Sequence, residues 1–230
     1  MDGQSLDIQH NQRFWDGNKS AYQGAKNSAV LIELTRGFLG KRILDAGAGD
    51  GTLVATLRKE LTNTKTVGVD LAPKSEIVER GDLTDLQFTS GEFDTVFCAE
   101  VIEHLTPETT GKVLAELTRV LKPDGHLVLT TPYNEKLSEL EITCPECECH
   151  FHRWGHVQNF IEDDFRTLAL AAGLTPLEVY PARLPRLRRF RYLGGKLLKS
   201  KALSSLRNSK RKQTLIMVAK KMANSNKKAA

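Results

Sequence analysis

No apolar run in this 230-residue chain approaches the length needed to cross a membrane, and no early stretch resembles a secretory signal. Cysteine is scarce as well: there are four, three of them crowded at 144, 147 and 149. That spacing is not a disulfide framework, so a reducing, cytoplasmic setting is expected. Acid is absent from Arg183 to the end, where 16 of the 33 Lys and Arg fall. The remaining 17 basic groups face all 28 acids in the first 182 residues, a balance of −11. An acidic body with a basic tail suits either an anionic partner near that tail or a solvated charge run. The rest of the composition, 40% hydrophobic and 27% charged, fits one globular domain with a single sizeable core.

What is present is organised around Lys41-Arg-Ile-Leu-Asp-Ala-Gly-Ala-Gly-Asp-Gly-Thr-Leu53. Ile43 and Leu44 read as a short buried strand that breaks on Gly47, Gly49 and Gly51, and a helical run from Thr52 to Leu61 follows at once. Such a turn exposes backbone N–H groups and lets a ligand lie on the chain at the carboxyl edge of a sheet. Thr52 stands where a dinucleotide fingerprint wants its third glycine, and Asp45 would repel pyrophosphate while favouring a sulfonium or ammonium group. Thr66-Val-Gly-Val-Asp70 is a second strand, and its terminal acid, 21 residues after Gly49, can accept both hydroxyl protons of a ribose. A glycine turn without a ligand is the plain alternative for the loop, and an ordinary turn or cap is that for an isolated acid after a strand such as Asp82.

The glycine loop resembles motif I of the class I S-adenosylmethionine-dependent methyltransferases, and the likeness extends over about 41–180 and 213–221. It implies that Asp45, Gly47, Gly49 and Gly51 hold the methionine part of the cofactor, Asp70 the ribose, and Asp82 and Leu83 the adenine, with Leu71 also among the cofactor-binding residues. Further along, Phe93 to Glu100 reads as strand four, residues 107–122 as a helix stopped by Lys-Pro-Asp-Gly, and His126 to Thr131 as strand five. Phe160 to Ala172 reads as a helix, and Leu174 to Tyr180 and Thr214 to Ala219 as the last strands. Pro73 leaves little room for a helix before Ile77, so the second crossover is expected to be abbreviated. Alternating strands and helices imply an α/β, Rossmann-like doubly wound sheet. The family adds the expectation of seven strands, mostly parallel, with an antiparallel last strand.

Glu100-Val-Ile-Glu103-His104 follows strand four on the ligand-bearing edge. Ligands at i, i+3 and i+4 converge if the stretch turns helically, and two carboxylates with an imidazole suit Mg²⁺, Mn²⁺ or Zn²⁺. The string resembles that of the ubiquinone-biosynthesis O-methyltransferases, within the methyltransferase type 11 group. It also resembles that of the enzymes that methylate the 3′-terminal 2′-hydroxyl of small RNAs. In both, the resemblance implies a metal gripping the substrate hydroxyl, with a further His after strand five, for which His156 is the candidate. Without a metal, His104 or His152 is the candidate to take the hydroxyl proton.

Cys144-Pro-Glu-Cys147-Glu-Cys149-His150-Phe-His152-Arg-Trp-Gly-His156 carries zinc-compatible spacings. Because His156 cannot serve two sites, a set of Cys144, Cys147, Cys149 and His152 avoids the conflict; a thiol- and His-rich substrate loop without metal is the alternative. The chain divides into an N-terminal helical or lid segment (1–40), a methyltransferase core (41–182), a basic insertion (183–212), the last core strand (213–221) and a basic tail (222–230). The insertion mixes apolar and basic residues and suits an amphipathic helix on the domain, an anionic membrane surface that would make the protein peripheral there, or RNA, with Phe190 and Tyr192 to stack on bases. The expected activity is methyl transfer from S-adenosylmethionine to the hydroxyl of a small-molecule, lipid-linked or glycan acceptor. RNA 2′-O-methylation and cofactor binding without catalysis are the rivals.

Overall fold

Ile43, Leu44 and Ala46 have no exposed surface, which is how a strand reads when both faces of its sheet are covered. The computed structural model describes residues 27–184 and 213–223. Phe14, Trp15 and Tyr22 of the expected lid, nearly all of the basic insertion and most of the tail lie outside them.

The chain enters through α1 (Ser28–Thr35), then β1 (Arg42–Ala46), α2 (Thr52–Glu60), β2 (Lys65–Asp70), β3 (Val78–Arg80) and β4 (Phe93–Ala99). After a 3₁₀ turn at Ile102–His104 come α3 (Pro107–Val120) and β5 (Leu121–Pro132). A small hairpin of β6 (Glu141–Thr143) and β7 (His150–His152) precedes α4 (Glu162–Ala171), β8 (Leu174–Ala182) and β9 (Thr214–Lys221). The main sheet has seven strands in the order β3-β2-β1-β4-β5-β9-β8. β9 pairs antiparallel with both β5 and β8, while the pairs among β1 to β5 are parallel. The expected Rossmann-like α/β sheet is therefore present, with one reversed strand. No helix separates β2 from β3, as Pro73 led us to expect.

The period of two in β4 divides the core. Val96 and Cys98 face the layer of α3 and α4, with Leu114, Leu117 and Phe165, whereas Phe97 faces α1 and α2, with Ile32 and Leu57. Thr106 caps α3 by accepting the Thr109 amide, and Pro107 occupies the first helical position, where no N–H is needed. Two differences from the sequence reading are local. The Lys-Pro-Asp-Gly segment falls within β5 as an irregularity, with Asp124 left-handed at φ +64°, because Leu121 already pairs with Phe93 before the register shifts. The β6–β7 hairpin was not anticipated, since three-residue strands carry too little periodicity to read. Among the described residues no helix is long and apolar enough to cross a membrane.

At the edge opposite the glycine loop, the Lys221 ammonium donates to the carbonyls of Thr118 (2.7 Å), Arg119 (3.3 Å) and Leu121 (2.7 Å). These carbonyls lie where α3 ends, so one cation ties the reversed strand to that helix. Lys221→Met should lower stability by about 1–3 kcal/mol in chemical denaturation while leaving ligand affinity at the far edge unchanged.

Candidate active site

β1 and β4 are neighbours, yet the chain leaves β1 for α2 on one face and β4 for α3 on the other. Their carboxyl ends therefore open a crevice where such sheets bind ligands. Gly47, Gly49 and Gly51 all have positive φ (+82°, +53° and +76°), and a Cβ at Gly47 would lie 2.3 Å from Val101 Cγ2. The Gly47 and Ala48 amides both donate to the Val69 carbonyl (2.8 and 3.0 Å), and the Gly49 amide donates to Asp70 Oδ2 at 2.8 Å. The Ala72 amide donates to the other Asp70 oxygen at 2.8 Å, so two amides orient a carboxylate that keeps lone pairs for a diol. The Gly81 amide donates to the Asp70 carbonyl (2.9 Å), bringing 81–83 alongside. There Asp82 Oδ1 accepts both the amide and hydroxyl of Thr84 at 2.8 Å, the turn-forming role named as its plain alternative, and Leu83 is buried. Leu71 follows Asp70 on the same edge, half-buried.

Asp45, Gly47, Ala48, Asp50, Glu100 and Thr130 line a pocket at this edge, together with Ser28 and Leu31 of α1. Asp45 is 2% exposed, and burial, then the nearby Asp70 and Asp50, push its pKa up to about 8. Glu100 sits in the left-handed region at φ +57°, uncommon for a non-glycine residue and characteristic of functional turns. The Thr130 hydroxyl donates to its Oε1 at 3.0 Å. Burial first, against that hydrogen bond, and then the field of Glu135 raise the Glu100 pKa to about 7.

Beside Glu100 lies a buried cluster formed by two loops. The Val157 and Gln158 amides donate to the Glu103 carbonyl (2.8 and 3.2 Å). The Gln158 side-chain amide donates to the carbonyls of Ile102 (3.3 Å) and Leu105 (2.7 Å) and to the Thr110 hydroxyl (2.9 Å), fixing the loop after β7 onto the loop after β4. This docking brings ligand atoms of Glu103, His104 and His156 within 4.8 Å of one another. The His104 and His156 rings meet edge-on at 4.8 Å, and His152 stacks on His156 at 4.5 Å. His104 Nδ1 donates to the Gly155 carbonyl at 3.2 Å, and His156 Nδ1 to Glu135. Both Glu103 carboxylate oxygens are buried without a partner at good hydrogen-bond geometry. Burial and then the Glu100 charge hold that carboxyl's pKa well above the usual range, with partial relief from the Thr131 hydroxyl.

The site thus differs from the sequence reading in four respects. Glu100 stays outside the Glu103–His104–His156 group, because its left-handed backbone turns it to the pocket and Thr130. His104 is ill-suited to accept a proton: burial, then the nearby His156, push its pKa down to about 3. His152 is no freer for that task, since its Nδ1 accepts the Trp154 and His156 amides (3.4 and 3.1 Å) and its Nε2 edge faces Glu135 at 3.9 Å. It is therefore also turned away from Cys144, Cys147 and Cys149, with which it does not group. Glu135 and Gln158 were missed; an acid three residues beyond β5 and an amide after His156 carry no sequence signal without the docking of the loops.

The Asp45 carboxyl makes a pH prediction. Its folded pKa of about 8 exceeds the unfolded 3.8, so between these values the folded chain holds a proton that the unfolded chain has lost. Stability without ligand should fall as pH rises through that window. A cationic ligand in the pocket favours the ionised form, so its affinity should climb towards pH 8 by up to about tenfold per unit, the limit for one coupled proton. Calorimetry in buffers of differing ionisation enthalpy should detect that proton's release. Asp45→Asn should abolish the dependence and raise stability above pH 8; unchanged affinity and pH profile in the variant would dismiss the assignment.

Comparison with known proteins gives this crevice a family. Residues 20–179 match the family model described as a methyltransferase domain. The chain is 32% identical over 133 residues to a malonyl-[acyl-carrier protein] O-methyltransferase of Herminiimonas arsenicoxydans, spanning 54% of this chain and 49% of that one. It is 30% identical over 138 residues to a ubiquinone biosynthesis O-methyltransferase of Dechloromonas aromatica (strain RCB), spanning 52% and 57%. The chain thus spans about half the length of these relatives. In fold it is similar to the 1,6-didemethyltoxoflavin-N1-methyltransferase of Burkholderia thailandensis, solved with S-adenosylhomocysteine: TM-score 0.59, 18% identity, 95% of this chain and 85% of that one. With the glycine loop at the switch point of a seven-stranded sheet with one reversed strand, the matched span establishes that the chain belongs to the methyltransferase domain family.

Proposed function

We propose that the protein transfers the methyl group of S-adenosylmethionine to a hydroxyl oxygen of a small-molecule acceptor, free, lipid-linked or part of a glycan. The observation that carries this reading is the buried Glu103–His104–His156 group beside the Glu100-lined pocket. Asp45 and the Gly47–Gly51 loop would hold the methionine part, Asp70 and Leu71 the ribose, and Asp82 and Leu83 the adenine. The named relatives methylate oxygen in two cases and nitrogen in a third, so the acceptor atom rests on the cluster rather than on the family.

The cluster fits a divalent ion. Two imidazoles and a buried carboxylate lacking good hydrogen bonds form a donor set that favours Zn²⁺ or Mn²⁺ over Mg²⁺. Glu103, His104 and His156 would hold it, with Glu135 orienting His156 from behind. Such an ion, when bound, lowers the pKa of an acceptor hydroxyl and fixes its oxygen. The chain's own part is positioning. The crevice aligns the acceptor oxygen with the sulfonium methyl, the new O–C bond forms as the C–S bond breaks, and the electron pair stays on sulfur. The hydroxyl proton goes to Glu100, the pocket carboxylate with a pKa near neutrality.

Methyl transfer from labelled cofactor, assayed against a metabolite extract, a lipid extract and total RNA, tests the acceptor class; label confined to RNA would overturn it. Glu100→Gln should lower kcat by about 10²–10⁴-fold, the span for a lost general base. His156→Ala and prolonged chelation should each remove metal and turnover while cofactor affinity stays nearly constant. Full turnover in a metal-free preparation would reduce the Glu103–His104–His156 group to a substrate wall.

A further inference from the structure

The β6–β7 arm has no core of its own. Ile142 and Phe151 face each other across its register yet are 44% and 42% exposed, and each strand is three residues long. Two-stranded hairpins of this kind are marginal in water unless something else fastens them. Its tip is nevertheless tightly drawn: the Cys144 amide donates to the Cys149 carbonyl and the Glu148 amide to the Cys144 carbonyl, both at 2.9 Å. Glu148 takes a left-handed backbone at φ +56°, unfavourable for a non-glycine residue. Within this turn the sulfurs of Cys144, Cys147 and Cys149 all lie within 4.8 Å of one another, and those of Cys147 and Cys149 are 3.1 Å apart.

We propose that the tip of this arm is a zinc site, in which the Cys144, Cys147 and Cys149 thiolates bind one ion and leave its fourth position to water or an outside ligand. Zn–S bonds of about 2.3 Å in a tetrahedral site place sulfurs roughly 3.8 Å apart, within reach of the observed separations by side-chain rotation alone. Three soft thiolates select zinc over hard cations, and Glu146 and Glu148 add a field that favours any cation. A disulfide explains only two of the sulfurs. Among the described residues no His or carboxylate joins the group: His150 Nδ1 pairs with the Thr143 hydroxyl at 3.0 Å, and His152 is packed against His156. The ion acts as the missing core of the arm. Because β7 ends at His152, whose register partner is Glu141, closing the tip also fixes the ring that packs against Glu135 and His156.

The test uses the full-length protein loaded with Co²⁺ in place of Zn²⁺. Sulfur-to-cobalt charge transfer absorbs in the near ultraviolet and is silent for His and carboxylate ligands, so this experiment can fail while the cluster of Glu103, His104 and His156 stands, and the reverse. Wild type and His156→Ala should both show the band; Cys144→Ser, Cys147→Ser and Cys149→Ser should each weaken or abolish it and lose one equivalent of zinc. If those variants do not fold, peptide mapping of alkylated wild type serves instead. Cys144, Cys147 and Cys149 should be protected by zinc and react after chelation, while Cys98, buried in the core with its thiol pKa raised by burial, stays unreactive in both states. Zinc content equal in the triple-serine variant and wild type, or protection that yields to reductant rather than chelator, would overturn the proposal.

Discussion

The ligand edge depends on one geometric constraint: β1 and β4 lie side by side while the chains that leave them go to opposite faces of the sheet. The pocket between the diverging loops is lined by the carboxylates of Asp45, Asp50 and Glu100 together with Gly47, Ala48, Leu31 and Leu53. Gly47 passes so close to Val101 that a methyl group there would collide, which packs the glycine loop against the loop carrying Glu100, Glu103 and His104. A shift of either loop therefore moves both halves of the site.

That edge is held in an unfavourable electrostatic state. Asp45 and Glu103 are buried acids and Glu100 a half-buried one, and their pKa values are all raised, first by desolvation and then by one another or by nearby acids. A folded chain without ligands bears this cost, and a cationic ligand at this edge would relieve it. The opposite edge shows the reverse arrangement. Asp94 accepts the Arg42 amide at 2.8 Å and the Lys122 ammonium at 2.8 Å, and its pKa is lowered against the effect of burial. Stability and ligand binding are thus concentrated at opposite ends of the same strands.

The two loops beyond β4 and β7 meet through the Val157 and Gln158 amides on the Glu103 carbonyl, the His104–Gly155 bond and the Gln158 side chain. Gln158 spans three acceptors on the β4 side, and only with that docking do His104 and His156 face each other. Glu135 then sets the ring of His156, which gives the cluster an outer layer as well as an inner one.

The sheet class, the glycine turn and the acid that ends β2 were legible in the sequence because each depends on local chemistry. Glycines 47, 49 and 51 announce positive φ, Pro73 excludes a helix, and Asp70 falls at the end of a readable strand. The Glu103–His104–His156 grouping was legible in part, since two of its members are adjacent and the third stands before a helix. Glu100 joined that set on spacing alone, and only the left-handed backbone at its α-carbon decided that it faces the pocket. His152 belonged by spacing with the cysteines; the stacking of its ring on His156 assigned it to the buried cluster. Residue type and order determine what each short segment can do. Which segments meet is set by long-range hydrogen bonds and burial, and no spacing rule contains those.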